Sequence, residues 1–436
     1  MRQSTLDALS KSRDASWPAA FWVVLMIAAA LRLGYVLLYP QMPLCPDCQA
    51  YDEVGLNLAD GRGFAGGFGD TLVWPQVHQP NAPEIGVGPV YPIFLAGIYR
   101  LAGHTFAWVR VAQALLTSLA LVPLFALVGR ALGRATALGT CILVALYPAF
   151  IVYPGFVLTE SLSIVLLITA LWALQHAWTR DAVGWWMLTG ALMGVSILLR
   201  GEFLIVAGAA GLLTLWRRPA RRTVWALVLV LATGAATMAP WTIRNYRLFH
   251  RVILVSALDG QILWLSVKGW TEWRFADPEL QHLVRGLSYL EESDALKRAA
   301  MREIADDPLH FAWTRVTRFP DFWLTSHTSN VTGVTDSLRT YWGRGAYGAV
   351  AIKTVLLALN MCLIGLGLVG GARAVGSATL SRPDVLLLAT PIVCIAAVHL
   401  VLYASPRYQI PVMPFLLAFA AWMGRGTFEN LARAPQ

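Results

Sequence analysis

Apolar residues fall in long, nearly unbroken blocks along this chain, and short polar stretches rich in arginine separate them. The blocks run from Phe21 to Leu38, Trp108 to Val128, Ala135 to Val152, Phe156 to Ala177, Trp185 to Leu199, Phe203 to Trp216, Val224 to Trp241, Ala349 to Val369, Val385 to Tyr403 and Ile410 to Met423. A helix needs about twenty apolar residues to cross the hydrocarbon of a bilayer, so each block is read as a spanning helix, about ten in all. The pair divided only by Arg200-Gly201-Glu202 leaves the count between about eight and eleven. No small-residue cleavage site follows the first block, which is read as a retained helix and not a signal peptide.

Two stretches break the pattern. Residues 40–107 open with Asp47 and Tyr51 one helical turn apart, then Val54, Leu58 and the stop Gly61-Arg62-Gly63, which predicts a short helix on the membrane surface. Tyr91 to Leu101 is too short to span and is also expected at the interface. Residues 244–347 are polar enough to lie outside the membrane. There Ser293 is positioned to cap a helix over Asp294 to Ile304 with Leu296, Ala300 and Ile304 on one face. Asp307-Pro308 opens another, with Leu309, Trp313 and Val316 on one face. The chain thus divides into 1–243, a transmembrane module that includes the external loop 40–107; 244–347, external amphipathic helices over the membrane mouth; and 348–436, the closing helices.

Composition narrows this to an all-α integral membrane protein: 57% of 436 residues are apolar and 14% charged, too few charges to cover a soluble globule. The excess of 34 Lys+Arg over 25 Asp+Glu is what basic cytoplasmic loops produce, so no nucleic-acid partner is expected. Eighteen tryptophans suit interfacial belts. Arg130, Arg134, Arg180, Arg217, Arg218, Arg221, Arg222, Arg373, Arg382, Arg425 and Arg433 all fall on the side of the basic N-terminal tail. The positive-inside rule then places both termini in the cytoplasm. Arg200, Arg244, Arg247 and Arg407 fall at the opposite helix ends, where that bias does not put them, together with Asp47, Glu160 and Glu202. Ionisable groups at membrane depth cost a few kcal/mol unless paired or solvated, so this set is read as a site. The bland reading is snorkelling, or ion pairs that hold loops down.

With these residues in hand, the chain resembles the GT-C superfamily of polytopic glycosyltransferases, in the branch of the protein O-mannosyltransferases and lipid A aminoarabinose transferases. The resemblance rests on Asp47-Cys48-Gln49-Ala50-Tyr51, Leu56-Asn57-Leu58-Ala59-Asp60-Gly61-Arg62-Gly63-Phe64 and Gly88-Pro89-Val90-Tyr91-Pro92. Later pieces are Leu158-Thr159-Glu160-Ser161-Leu162, Leu199-Arg200-Gly201-Glu202, Pro240-Trp241-Thr242-Ile243-Arg244-Asn245-Tyr246 and Ser405-Pro406-Arg407-Tyr408-Gln409-Ile410-Pro411. It implies the GT-C fold, residence in a bacterial inner membrane, and an inverting transferase that takes a sugar from a polyprenyl-phosphate donor on the outer face. The acceptor would be a lipid, glycan or protein. It also implies that Asp47 is the catalytic or acceptor-orienting acid. One departure is Val87-Gly88-Pro89-Val90, where relatives carry a basic or second polar residue; Arg200 or Arg244 would supply that donor-phosphate contact.

The residues suit this chemistry. Guanidinium forks at Arg244, Arg407 or Arg200, with Lys268 in reserve, would stabilise the charge that grows on a leaving phosphate. A carboxylate, assigned to Asp47, would take the proton of an acceptor hydroxyl. Glu160 and Glu202 would orient the acceptor or pair with an arginine, although Glu160 also suits a helix N-terminus. Tyr51 and Tyr408 are candidates for hydrogen bonds to sugar or phosphate, or plain interfacial anchors. No cofactor is demanded; a divalent cation held by Asp47, Glu160 and Glu84 with His78 or His250 is the one candidate. His310, His327 and His399 are expected to be structural. Gly61 to Gly69 is read as a loop, not a nucleotide cradle. Cys45 and Cys48 form C-x-x-C around Asp47, as a disulfide or a redox pair, and Cys141, Cys362 and Cys394 are read as buried hydrophobes. The rival function is a flippase or secondary transporter for lipid-linked sugars, and a third is a non-catalytic subunit. Charges gathered at outer helix ends, without inverted repeats, favour the transferase.

Overall fold

A computed structural model describes residues 17–39, 45–67, 82–268, 282–325, 327, 334 and 336–432. Every apolar block becomes helix. The first part comprises α1 (Ala19–Leu38), α2 (Pro46–Ala59), α3 (Val90–Ala102), α4 (Phe106–Leu119), α5 (Leu121–Leu132), α6 (Arg134–Leu146), α7 (Pro148–Val152), α8 (Glu160–Arg180), α9 (Val183–Leu199), α10 (Phe203–Arg217) and α11 (Arg221–Phe249). The segment between α11 and the closing helices, expected to be external, holds α12 (Asp259–Lys268), α13 (Tyr289–Asp306), α14 (Pro308–Arg318), α15 (Pro320–Trp323) and α16 (Leu338–Gly343). The chain closes with α17 (Tyr347–Val375), α18 (Arg382–Val401), a 3₁₀ turn (Pro406–Val412), α19 (Met413–Met423) and α20 (Arg425–Ala432).

Among the described residues, six helical stretches are long and apolar enough to cross a membrane: α1, α4 with α5, α8, α11, α17 and α18. The pair of α6 with the segment Pro148–Gly155 makes a seventh, bent by 62° at Tyr147-Pro148, where proline excludes the preceding residue from helical geometry. The helices α3, α9 and α10 are apolar but shorter. This is a multi-pass membrane protein, and its length criterion is met by fewer helices than the ten apolar blocks. Many large apolar side chains face outward, such as Met26, Leu212 and Leu231, as a lipid-facing surface requires.

Close helix contacts use small residues. A side chain at Gly190 of α9 would collide with the Val230 carbonyl of α11, and Gly194 sits 2.9 Å, measured from an added Cβ, from the carbonyl of Gly234. At one end of the bundle the arginines expected on the N-terminal side gather: Arg130 pairs with buried Asp384 at 3.3 Å, Arg222 with Asp181 at 3.1 Å, and Arg217 lies over the Trp178 ring. Phe21, in the first turn of α1, packs tilted against Phe125 with ring centres 4.9 Å apart. Arg433 and residues 1–16 lie outside the described residues.

The external helix begins earlier than expected. It is α13, opened by a capping box in which Ser288 and Glu291 exchange hydrogen bonds, and not by Ser293. Ser293 is instead buried inside it, donating to the Ala257 carbonyl at 2.7 Å where α13 packs on α12. Asp307 does cap α14, accepting from the His310 amide at 2.8 Å. Leu309, Trp313 and Val316 then form an exposed apolar stripe, as an interfacial helix needs. Cys141 and Cys394 are buried as expected, whereas Cys362 is exposed on α17.

Candidate active site

Opposite the arginine-rich end, six side chains stand in series, carboxylates alternating with nitrogen-bearing partners. Arg407 pairs with Asp47 at 2.6 Å and approaches Glu160 at 4.0 Å. Arg200 approaches Glu160 from the other side at 3.8 Å and pairs with Glu202 at 2.9 Å. Glu202 meets the Nε2 of His399 at 3.0 Å. Asp47 and Arg407 are about one-third exposed (32% and 34%), while Glu160 is 2% exposed. The series therefore opens to solvent at the Asp47 end and is buried at the His399 end.

Backbone direction explains where the carboxylates sit. Asp47 lies in the first turn of α2, Glu160 is the first residue of α8, and Glu202 is the N-cap of α10. Each carboxylate thus stands at the positive end of a helix, which favours its charge by a few tenths to about 1 kcal/mol. Arg200 closes the C-terminal end of α9, the complementary place for a cation. Cys45 and Cys48 form a disulfide, and Cys45 Sγ accepts from the Cys48 amide at 3.2 Å. Together with Pro46 at the first helical position, this fixes the entry of α2 and so the place of Asp47.

Tyr408 ties the series together. Its hydroxyl accepts from Arg407 at 3.2 Å, and the guanidiniums of Arg200 and Arg407 lie 4.9 and 5.1 Å from its ring centre. Tyr51 packs edge-on to Tyr91 at 5.1 Å, and Tyr91 donates to Gln113 at 2.9 Å. Burial, followed by Asp47 and Glu160, pushes the Tyr51 hydroxyl well above its ordinary pKa, so it serves as a neutral hydrogen-bonding group. Burial works against the charge on Glu202, but Arg200 and His399 outweigh it and hold the carboxyl down at about 2. Burial likewise opposes the charge on Arg407; Tyr408, Asp47 and Glu160 more than offset it. Gly88 carries the external loop against the end of α9, where any side chain would strike the Leu198 carbonyl.

Arg244 does not join this series. Its guanidinium donates to the Phe64 and Glu84 carbonyls, each at 2.8 Å, and to Asn245 at 2.9 Å, among the rings of Phe64, Trp241 and Phe249. Those carbonyls flank the isolated bridge Ala65–Pro83, so Arg244 clamps the external loop onto the end of α11. Lys268 is likewise engaged elsewhere, with Glu303 at 2.6 Å. Glu84 accepts from the amides of Ile85 and Gly86, away from Asp47, and His250 ends α11 in a left-handed turn. The suggested cation set is not assembled: among the described residues no group of three or more His, Cys, Asp or Glu comes together. His78 lies outside them, as do Phe68 and Gly69 of the glycine-rich loop. His399, expected to be structural, stands at the buried end of the series, a place that sequence reasoning did not give it. Its signal was the buried Glu202, whose charge called for a second partner.

Helices long and apolar enough to span a membrane, with a buried alternation of arginines and carboxylates at one end of the bundle, define a polytopic membrane protein. Residues 83–243 match the family model described as dolichyl-phosphate-mannose-protein mannosyltransferase. Among solved structures, the chain is similar to the oligosaccharyltransferase AglB from Archaeoglobus fulgidus in complex with an inhibitory peptide and a dolichol-phosphate. That match has 14% identity and a TM-score of 0.55 over 94% of this chain and 50% of that one. The Archaeoglobus fulgidus oligosaccharyltransferase complex with Zn and sulfate gives 13% and 0.52, over 95% and 49%. ArnT from Cupriavidus metallidurans bound to undecaprenyl phosphate gives 17% and 0.44, over 94% and 79%. The chain spans about half the length of the oligosaccharyltransferases it matches. No curated protein sequence matches it. The fold is that of the GT-C glycosyltransferases, and the matched segment resembles the mannosyltransferase branch.

Proposed function

We propose that this protein is a glycosyltransferase that moves a single sugar from a polyprenyl-phosphate donor to an acceptor hydroxyl or phosphate, on the outer face of a bacterial inner membrane, with both termini cytoplasmic. The observation that carries this reading is the Asp47–Arg407–Glu160–Arg200 series. It pairs a solvent-accessible carboxylate with two guanidiniums gathered at the ends of apolar helices. The AglB structure holds a dolichol-phosphate, a ligand of the chemistry proposed for this chain.

In the proposed reaction the acceptor O–H loses its proton to Asp47, and its oxygen forms a new bond to the anomeric carbon. The bond from that carbon to the phosphate oxygen breaks on the opposite face, inverting the centre. Its electron pair leaves with the polyprenyl phosphate, whose growing charge Arg407 and Arg200 meet. For this, Arg407 turns from Asp47 toward the phosphate, which frees the carboxylate to act as base. Glu160 and Tyr51 orient the acceptor, and Tyr408 keeps the two guanidiniums at a fixed spacing. Arg244 keeps the loop that carries α2 in place.

The test is transfer from a panel of radiolabelled polyprenyl-phospho-sugars to a total membrane extract by purified protein in liposomes, with wild type beside Asp47→Asn. Label transfer that falls by about a thousandfold in the variant supports the reading. Labelled lipid that crosses between leaflets with no new glycosidic bond would replace it with the flippase. The same assay after chelation, with manganese or magnesium restored, tests whether a divalent cation takes part. Because two guanidiniums already meet the phosphate, the expected outcome is no loss.

A further inference from the structure

Arg315 and Arg318 lie one turn apart on α14, on the face opposite the exposed stripe of Leu309, Trp313 and Val316. The stripe faces outward, so the two guanidiniums are turned toward the bundle. Arg315 is 6% exposed. Its Nη1 donates to the Leu402 carbonyl at the end of α18 over a long 3.4 Å, and its guanidinium lies 5.4 Å from the Phe311 ring centre. Nε and Nη2 of Arg315, and Nη1 of Arg318, are buried without a hydrogen-bond partner. Among the described residues no carboxylate pairs with either side chain, Asp321 in the next helix included. Burial, and then the like charge of Arg318, push the Arg315 guanidinium down to about 10, with no acid to offset them. Bare nitrogens inside a fold are costly, and a staple for the end of α18 has no use for a second arginine. The pair also stands beside the catalytic series. Tyr403, which follows Leu402, is within electrostatic reach of Tyr408 and Arg407 on one hand and of Asp321 and Arg318 on the other. Leu402 to Tyr408 are half-buried throughout, and the stretch from Leu402 to Arg407 spans at most about 18 Å when extended.

We infer that Arg315 and Arg318 form a binding site for an anionic group, a phosphate or carboxylate, carried by the acceptor. This rests on the transferase reading above and narrows its acceptor to a negatively charged one. The surrounding charges decide which substrate is held. Arg407 and Arg200 stand among Asp47, Glu160 and Glu202, and the donor phosphate takes the place of one of those carboxylates. Arg315 and Arg318 have no acid to exchange, so their positive charge calls for an anion beyond the donor's. Two guanidinium forks suit the oxygens of a phosphate or carboxylate. A headgroup of the surrounding bilayer does not reach Arg315, which is buried on the inward face while the apolar stripe takes the outward one. An acceptor seated here by its anionic group has its reacting hydroxyl within reach of Asp47, because Arg407 touches Asp47 at 2.6 Å.

The test is transfer in liposomes of phosphatidylcholine alone, with the total membrane extract first divided on an anion exchanger. Labelled product should form from the retained, anionic fraction and not from the flow-through, a result that needs no variant. Arg315→Gln and Arg318→Gln should each raise KM for the retained fraction by about ten- to a hundredfold, the range of a lost hydrogen bond to a charged group. KM for the donor should stay within about twofold, and Arg315→Lys should recover part of the loss. Since each change removes a charge that has no partner, the unfolding midpoint should hold or rise. Product from the neutral fraction alone would overturn the inference. A rise in donor KM in place of acceptor KM would overturn it too, by giving the pair to the donor phosphate. An unchanged acceptor KM with a lower midpoint would reduce the pair to a staple. A wild type that transfers from no donor defeats the transferase reading alone, and calorimetry with inorganic phosphate then decides the site. Wild type should bind at least about tenfold more tightly than the variant that combines Arg315→Gln with Arg318→Gln, and equal binding, or none, would sink the anion site.

Discussion

Arg407 and Arg244 occupy equivalent places in the chain, each just past an apolar block and each expected to face a lipid phosphate, yet their surroundings make them different devices. Arg407 is met by carboxylates: Asp47 at 2.6 Å and Glu160 at 4.0 Å. Arg244 is met by carbonyls, two from the external loop and one from its own neighbour's amide, under a roof of aromatic rings. A carboxylate partner can be exchanged for a phosphate of like charge, so Arg407 can change partners during a reaction. Backbone carbonyls offer no such exchange, and a guanidinium among them serves as a fastener. The number and kind of oxygen atoms around an arginine, more than its depth in the membrane, separate a working cation from a structural one.

That contrast is open to direct attack. Arg407→Ala should lower transfer by about a hundred- to a thousandfold, the usual loss when a donor to developing charge is removed. Its thermal unfolding midpoint in detergent should stay within a few degrees of wild type. Arg407→Lys should recover only part of the rate, because a point charge cannot fork between phosphate oxygens. Arg244→Ala should do the reverse: it strands the Phe64 and Glu84 carbonyls and should cost about 2–4 kcal/mol of stability, read as a lower unfolding midpoint. The protein that remains folded should keep most of its transfer rate. If Arg244→Ala abolished transfer while the midpoint held, the two arginines would share one role.

A smaller effect sharpens the contrast from the side of a lone carboxyl. Glu292, buried between α13 and α12 with Gln261 beside it, is pushed up to about 7 by burial, partly offset by that Gln261 contact. Its folded value lies above the unfolded one, so the folded form holds the proton more tightly. Stability of the external segment is then full below about pH 4.5 and falls as pH rises toward about 7, by up to about 3 kcal/mol before any relaxation. The hydrogen-exchange protection factors of α12 and α13 should fall over that window in wild type and stay level in Glu292→Gln. Glu202, with its arginine and histidine, should show no such response there. The smallest effect is expected from Cys45→Ser with Cys48→Ser, which loosens the entry of α2 and should reduce transfer by about two- to fivefold, since so short a loop adds little chain-entropy stabilisation.

Much of this was legible in the residues. The apolar blocks predicted where helices lie, though not how many are long enough to span, and the positive-inside pattern separated the end where Arg130 meets Asp384 from the end where Arg407 meets Asp47. Cluster membership was legible for Asp47, Tyr51, Glu160, Arg200, Glu202, Arg407 and Tyr408, because ionisable groups at the wrong end of a helix have few reasons to be there. Pairing was not. Asp47 and Arg407 come from opposite ends of the chain, and no local spacing says which arginine a loop will fold beneath. The start of α13 was missed for a readable reason: Ser288-Tyr289-Leu290-Glu291 satisfies the capping-box spacing, while Ser293 merely precedes an acidic residue. His399 escaped because its partners arrive from two other segments, so its chemistry exists only in the folded bundle.

The Cys45–Cys48 bridge also has a meaning for the making of the protein. Thiols stay reduced in the cytosol and pair only where oxidation is possible. A newly made chain would thus carry an unfinished entry to α2 until that turn had been delivered across the membrane. On the proposed orientation, the brace on Asp47 would be added at the compartment where sugar is to be handed over, so that export itself serves as the last step of the enzyme's assembly.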